Sequence, residues 1–239
     1  MSMERLMERG SLEVDIRPQP NDETCGPTSL HAVYQYFNDN ISLDDVIDQV
    51  KSLKTGGTLG VMLGNHALKR GYSAKLITYD LQMFDPTWFV EGISLEEKLK
   101  EQLLHKTSKK FKTATNAYLK FLQGGGEILF EELSSKLIRG ILEEGTPVLT
   151  GLSATYLYNC SREIPETNEY DDLKGKPAGH FVVIRGFDPI KRLVYIADPL
   201  ESNPISETQY YLVNLRRLIN SILLGIMTYD ANLLVIKPK

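Results

Sequence analysis

The sequence predicts an α+β protein, in which a helical first half is followed by a mainly β second half. Apolar residues recur with helical spacing through most of 25–70. The clearest hairpin pattern comes much later, with strands predicted over 179–187 and 191–198. Helical and strand patterns do not alternate regularly along the chain, so the order favours α+β over a parallel sheet built from βαβ units.

Length and composition are those of a soluble globular protein and limit the partners that we expect. The 239 residues suit one large domain, or one domain that carries an insertion. The net charge of -4 and the pI of about 5.7 argue against nucleic acid, because a nucleic-acid partner would need a basic face. No apolar run of about 18 residues occurs, so we expect no membrane span.

Cysteine usage and the N-terminal sequence predict a cytoplasmic protein. Cys25 and Cys160 are the two cysteines, and their different sequence contexts predict two free thiols, as in a reducing compartment. The first twenty residues have no apolar core of signal-peptide length and carry acidic residues early.

Three helices are predicted before residue 72. The first begins at 25–27, where several capping-type residues are followed by a Pro that suits a first helical turn. The second covers 42–53, with Ser42 as its N-cap. The third covers 58–70 and ends at Gly71, a residue typical of a helix C-terminus.

The segment 81–126, which follows a predicted strand over 72–79, is the most distinctive part of the chain. It is rich in Lys, and its apolar spacing predicts two amphipathic helices between 95 and 120. Acidic residues interleave with part of the Lys run, so we interpret it as a solvated face and not as a membrane or nucleic-acid patch. We expect these helices to pack on the same domain.

The second half of the chain contains most of the predicted strands. A helix over 130–143 precedes a buried strand within 145–152, and 156–176 is polar and loop-like. After the hairpin, the pattern predicts a helix over 210–224 and a last strand over 231–236.

Cys25 is a candidate nucleophile because of its place at the start of a predicted helix. A free cysteine thiol has a pKa of about 8.5, and the thiolate is the reactive form. Unpaired N–H groups and the dipole at a helix N-terminus favour that anion, and a nearby His favours it further. The alternative is that Cys25 is a small buried helix residue, which is common for a free cysteine.

His180 is the strongest candidate for the partner of Cys25, because it opens the first strand of the hairpin. His31 lies six residues after Cys25 on the same predicted helix and points to a different side. His66 and His105 lie in predicted helices with no evident carboxylate partner. We therefore expect these three histidines to be packed or surface residues.

The hairpin predicts a carboxylate for His180. If 188–190 forms a three-residue turn, Phe187 faces Lys191, and His180 then faces Asp198 in the antiparallel ladder. Directly opposed Cβ atoms lie roughly 4.5–5.5 Å apart, which lets a carboxylate bind one imidazole nitrogen while the other faces the thiol. The alternative is that Asp198 merely ends the strand.

Gln19, six residues before Cys25, is a candidate for the oxyanion hole. Its side-chain amide can donate a hydrogen bond to the oxyanion formed on acyl attack, beside the backbone N–H of Cys25. Taken alone, a Gln in a Pro-flanked loop is an ordinary loop residue.

These segments together resemble a known family. The run Gln-Pro-Asn-Asp-Glu-Thr-Cys-Gly-Pro-Thr-Ser-Leu at 19–30, with Gly-His-Phe-Val-Val at 179–183 and Ile-Ala-Asp-Pro at 196–199, resembles the double-glycine-leader (bacteriocin-processing) cysteine peptidases and their stand-alone relatives. These peptidases belong to the papain-like superfamily. The resemblance implies one papain-like domain over 1–239, with the helical insertion at about 81–126. In that fold a helical part bearing the Cys packs on an antiparallel sheet bearing the His and Asp.

The resemblance also implies a set of roles. Cys25 is the nucleophile, His180 the general base and acid, Asp198 the residue that orients it, and Gln19 an oxyanion donor. The implied activity is hydrolysis of a peptide or other amide or acyl substrate through an acyl-enzyme, with no metal or organic cofactor. Acyl transfer at the same site and a catalytically silent binding module stay open as alternatives. The oligomeric state is not indicated.

Overall fold

One seven-stranded sheet organises the part of the chain that the computed structural model describes, namely residues 11–53, 56–165, 167–229 and 231–239. Residues 1–10, on which the expectation about a signal peptide depends, lie outside the described residues. Within these described ranges, no helix is both long and apolar enough to cross a bilayer.

The sheet is antiparallel except at one edge. Its order is β2-β1-β7-β3-β4-β5-β6, and only the short edge strand β2 pairs in parallel, with β1. The predicted α+β class is confirmed. The strands are β1 (Tyr72–Thr78), β2 (Glu127–Leu129), β3 (Val148–Ser153), β4 (Gly179–Asp188), β5 (Leu193–Ala197), β6 (Tyr210–Asn214) and β7 (Asn232–Pro238).

Serine N-caps define where most of the helices begin. The hydroxyls of five such serines accept a backbone N–H three residues later, which satisfies one donor of each first turn: Ser42, Ser94, Ser108, Ser134 and Ser153. The helices are α1 (Cys25–Tyr36), α2 (Leu43–Gln49), α3 (Gly60–Lys69), α4 (Leu95–Gln102), α5 (Lys109–Gln123), α6 (Ser135–Glu143), α7 (Ala154–Tyr158) and α8 (Leu215–Leu224). Two 3₁₀ turns occupy Pro86–Trp88 and Gly225–Met227.

Each face of the sheet carries its own apolar core. Helices α1, α3 and α5 cover one face, in a cluster that includes Cys25, Phe181 and Val183. Helices α6, α7 and α8 cover the other face, in a cluster that includes Val182 and Ile184. The alternation of β4 between the two cores follows from the two-residue period of a strand.

The segment 81–126 contains α4 and α5, and α5 packs against α3. The ring of Phe121 lies so close to Gly64 that a Cβ there would come within 2.6 Å of it. The side chain of Asn65 donates a hydrogen bond to the carbonyl of Ala117 at 2.9 Å. That this segment is an insertion into a single domain stays a prediction.

The short strand β2 was not predicted, and α6 begins at Ser135 and not at 130. Two further elements differ from the prediction in type. Residues 210–214, predicted as the start of a helix, form the edge strand β6, in which Tyr211 and Val213 turn inward and the helix begins at Leu215. Residues 154–158, predicted mostly as loop, form α7. Both elements are five residues long, which is too short for a periodic pattern to identify them.

Replacing Phe121 with Ala tests the packing of the Lys-rich segment. The side chain is fully buried, so the variant Phe121→Ala should lower the free energy of unfolding by about 3–5 kcal/mol through lost burial and a residual cavity. Urea unfolding measures this change. Leu104→Ala, in the same segment but 78% exposed, is the matched control and should change stability by less than about 0.5 kcal/mol. Equal effects of the two changes would contradict the packing.

Candidate active site

Cys25 is the first residue of α1 and is 8% exposed. The N-cap residue, Thr24, makes no side-chain capping hydrogen bond, unlike the serines that begin most of the other helices. The first-turn N–H groups of α1 are therefore not satisfied by a capping side chain. A helix N-terminus of this kind favours negative charge beside it.

Two close contacts fix α1 against the beginning of β4. The hydroxyl of Ser29, one turn after Cys25, donates a buried hydrogen bond to the carbonyl of Phe181 at 3.1 Å. At Gly26, a Cβ would come within 2.6 Å of Thr58 Cγ2 and 3.2 Å of the Phe181 ring. The absence of a side chain at Gly26 thus lets the N-terminus of α1 approach the strand that carries His180.

His180 is buried and connects the thiol to a carboxylate. Its Nε2 is 2.8 Å from Asp198 Oδ1, and Cys25 lies near enough to the imidazole to raise its pKa. Because Asp198 occupies Nε2, the nitrogen left for the thiol is Nδ1. Burial lowers the pKa of His180, but the attraction and hydrogen bond to Asp198 and the interaction with Cys25 outweigh it and raise the pKa from 6.5 to about 10.

The Asp198 carboxylate has no exposed surface and accepts four hydrogen bonds. Oδ1 accepts from His180 at 2.8 Å and from the backbone N–H of Leu200 at 2.9 Å. Oδ2 accepts from the hydroxyls of Tyr158 at 2.7 Å and Tyr211 at 2.6 Å. Burial alone would raise the pKa of Asp198. His180 and the hydrogen bonds from the two tyrosines lower it by more, so the pKa lies below its ordinary value. Sequence reasoning did not identify these two tyrosines as site residues.

The hairpin turn assumed from the sequence is wrong. Asp188 pairs with Leu193, so the loop is 189–192 and not the predicted 188–190. The Asp188 carboxylate holds this longer loop by accepting two backbone N–H groups from within it, at 2.9 Å each. The pairing next to the loop is thereby shifted by three residues from the predicted register.

A β-bulge at Arg185 places the side chains of His180 and Asp198 on the same face of the sheet. A shift of three residues, being odd, would put Asp198 on the opposite face of the sheet from His180. The bulge takes up one residue, so Val183 faces Ala197 and the net shift is two. Asp198 therefore lies diagonally from His180 on the same face, a separation that the two side chains span.

Gln19 lies at the same end of the sheet, but its side chain is engaged within its own loop. Its backbone N–H donates to the carbonyl of Pro199 at 2.9 Å, next to Asp198. Its Nε2 donates to the carbonyl of Asn21 at 3.1 Å. The structure thus brings Cys25, His180 and Asp198 close together, whereas an oxyanion role for Gln19 stays a prediction.

The other histidines lie apart from this site. His31 is buried in α1, where burial and Arg17 lower its pKa. His66 is buried in α3 and hydrogen-bonds the Tyr34 hydroxyl at 2.8 Å, while His105 is exposed after α4. Among the described residues, no group of three or more His, Cys, Asp or Glu is arranged to hold a metal.

Comparisons with known proteins agree with this architecture. The model of the Peptidase_C39 like family matches residues 11–217. A structure described as a C39-like peptidase from Bacillus anthracis is 16% identical, covers 97% of this chain and 98% of its own, and has a TM-score of 0.51. The family match and this likeness confirm the predicted papain-like fold. No curated protein matches.

Two further solved structures are similar over most of their length. A double glycine motif protease from an AMS/PCAT transporter, in complex with the leader peptide, is 17% identical, with 97% of this chain and 96% of that chain covered and a TM-score of 0.47. Xylellain, a cysteine protease from Xylella fastidiosa, is 18% identical, with 96% and 85% covered and a TM-score of 0.44.

The raised pKa of His180 predicts an unusual titration. The imidazole should stay protonated at pH 8, and its contribution to stability should be complete below pH 6.5 and be lost as the pH rises from 6.5 towards about 10. Nitrogen-15 NMR of the imidazole rings measures this directly. His66, whose pKa is lowered by burial and by Arg70 and Lys69, should be neutral at pH 7 and serves as an internal comparison. A His180 titration at or below pH 6.5 would contradict the assignment.

Proposed function

The chain belongs to the Peptidase_C39 like family, and we propose that it is a cysteine peptidase that hydrolyses peptide amide bonds through an acyl-enzyme. One observation carries the proposal: His180 binds a buried carboxylate through Nε2 and lies beside a cysteine that begins a helix. A nucleophile, a base and a group that orients the base are the elements of covalent acyl-transfer catalysis.

In the first half of the proposed reaction, His180 takes the thiol proton of Cys25 at Nδ1. The resulting thiolate is stabilised by the imidazolium and by the N-terminus of α1. The sulfur attacks the carbonyl carbon of the substrate, and the carbonyl oxygen becomes an oxyanion. The backbone N–H of Cys25, at the first position of α1, is a suitable donor to this oxyanion.

Gln19 is proposed as the second oxyanion donor. Its amide nitrogen carries two hydrogens, and the bond to Asn21 uses one of them. A second donor hydrogen therefore stays available on a loop that is tied by its backbone to Pro199, next to Asp198.

The second half of the reaction uses the same His180. The imidazolium gives its proton to the leaving amine as the carbon–nitrogen bond breaks, which leaves the acyl group on Cys25. His180 then takes a proton from water as the water oxygen attacks the thioester, and returns it to the thiolate as the acid leaves. Asp198 stays ionised throughout and keeps the imidazole in one orientation.

Alkylation of Cys25 at graded pH tests the proposed pair and needs no substrate. Iodoacetamide should modify Cys25 at pH 6 far faster than Cys160, because a thiolate paired with imidazolium is present where an ordinary thiol is protonated. Burial and the charge of Glu163 raise the pKa of Cys160, which makes it a slow internal reference. Mass spectrometry of the modified peptides gives both rates in one sample.

His180→Ala should abolish the faster alkylation of Cys25 relative to Cys160 at pH 6, while His66→Ala should leave the ratio of the two rates unchanged. His66 is an equally buried histidine without contact to the site, so it controls for the loss of an imidazole. Slow and similar alkylation of both cysteines in the wild type would contradict the proposal and would favour a catalytically silent binding module.

A further inference from the structure

We propose that Tyr158 and Tyr211 are positioning residues for the reaction: their hydroxyls hold the Asp198 carboxylate in its charged form and in a fixed orientation, and thereby keep His180 ready to hold the proton of Cys25. The inference rests on the proposed function. Neither tyrosine would touch the reacting atoms, since both act through Asp198.

The geometry assigns the two oxygens of Asp198 to different tasks. Oδ1 faces His180, whereas Oδ2 accepts from Tyr158 and Tyr211 at 2.7 and 2.6 Å. The two hydroxyls come from separate elements, α7 and β6, and meet at one atom. With His180 and the N–H of Leu200, they fill the roughly four lone-pair positions that a carboxylate offers. The carboxylate therefore cannot rotate without breaking several hydrogen bonds.

Neutral donors suit this task better than cationic ones. Burial and the charge of Asp198 raise the pKa of both tyrosines, so their hydroxyls stay protonated and donate. A Lys or Arg at Oδ2 would also stabilise the anion, but its charge would compete with the imidazolium for the carboxylate. Two hydroxyls stabilise the charge of Asp198 and leave His180 as its cationic partner.

The titratable groups that face the carboxylate and His180 define the expected pH effect. His180 from β4, Tyr158 from α7 and Tyr211 from β6 face Asp198, while Cys25 of α1 and Glu163 interact with His180. Removing a hydroxyl destabilises the anionic form of Asp198, so the carboxyl takes up a proton at a higher pH than in the wild type. Once Asp198 is neutral, its charge no longer stabilises the imidazolium of His180, and the thiolate form of Cys25 becomes less favourable.

The pH profile of Cys25 alkylation tests this role. Tyr158→Phe and Tyr211→Phe each keep the ring and remove one donor, so the acid-side midpoint of fast alkylation should move up by about one pH unit per variant, and by more in the double variant. At pH 9 the rates should match the wild type, because an ordinary thiol also ionises there. A purely structural role would lower stability without moving the midpoint.

Each variant has a matched control one or two residues away. Tyr156→Phe, also on α7, removes a hydroxyl that accepts from Asn220. Tyr210→Phe, also on β6, removes a hydroxyl that donates to Asp15. Both controls should leave the alkylation midpoint where it is in the wild type.

The outcomes separate this inference from the proposed function. Fast wild-type alkylation at pH 6 with unchanged midpoints in the tyrosine variants would overturn the positioning role alone. No fast alkylation in the wild type would overturn both the proposed function and the inference. If the buried Tyr211 cannot be replaced without unfolding, the half-buried Tyr158 decides the question by itself.

Discussion

The proposed chemistry of this site depends on a carboxylate that has no solvent-exposed surface. An unpaired charge is costly inside a protein, and a buried carboxyl without partners would bind a proton. Asp198 avoids this because four donors from four parts of the chain converge on its two oxygens. The charge so retained holds His180 in one orientation and favours its protonated form. A thiol beside that imidazolium is drawn towards its thiolate form.

Two local features of the backbone allow these groups to meet. Gly26 and Ser29 bring the N-terminus of α1 against the first residues of β4, which places Cys25 beside His180. The bulge at Arg185 corrects the facing of the hairpin, so that Asp198 lies on the same face as His180. Neither feature contributes a proposed reacting group, yet a side chain at position 26 or a regular ladder at position 185 would separate the three proposed catalytic residues.

The sequence predicted that Cys25, His180 and Asp198 lie close together, but not the backbone geometry that brings them there. Cys25 and His180 were predicted because the local sequence indicates that a helix begins at one and a strand at the other. Asp198 was predicted because its spacing from His180 puts both side chains on the same face of a hairpin. The predicted turn length was wrong, and the sequence did not reveal the bulge. Together the two errors shift the pairing by two residues, which keeps Asp198 on the same face as His180. The hydrogen bonds of Tyr158 and Tyr211 to Asp198 could not be predicted. The two tyrosines lie 40 and 13 residues from Asp198 in the sequence, and only the folding of α7 and β6 near the end of β5 brings their hydroxyls to its carboxylate.

Cleavage of a diverse peptide library is the most direct test of the claim that Cys25 carries peptidase chemistry. New peptide N-termini, counted by mass spectrometry, should appear with the wild-type protein and with Cys160→Ala, which keeps the proposed site intact. They should be absent with Cys25→Ala, which removes the nucleophile while leaving His180 and Asp198 in place. New N-termini produced by Cys25→Ala at the wild-type rate, or none produced by the wild type, would contradict the account.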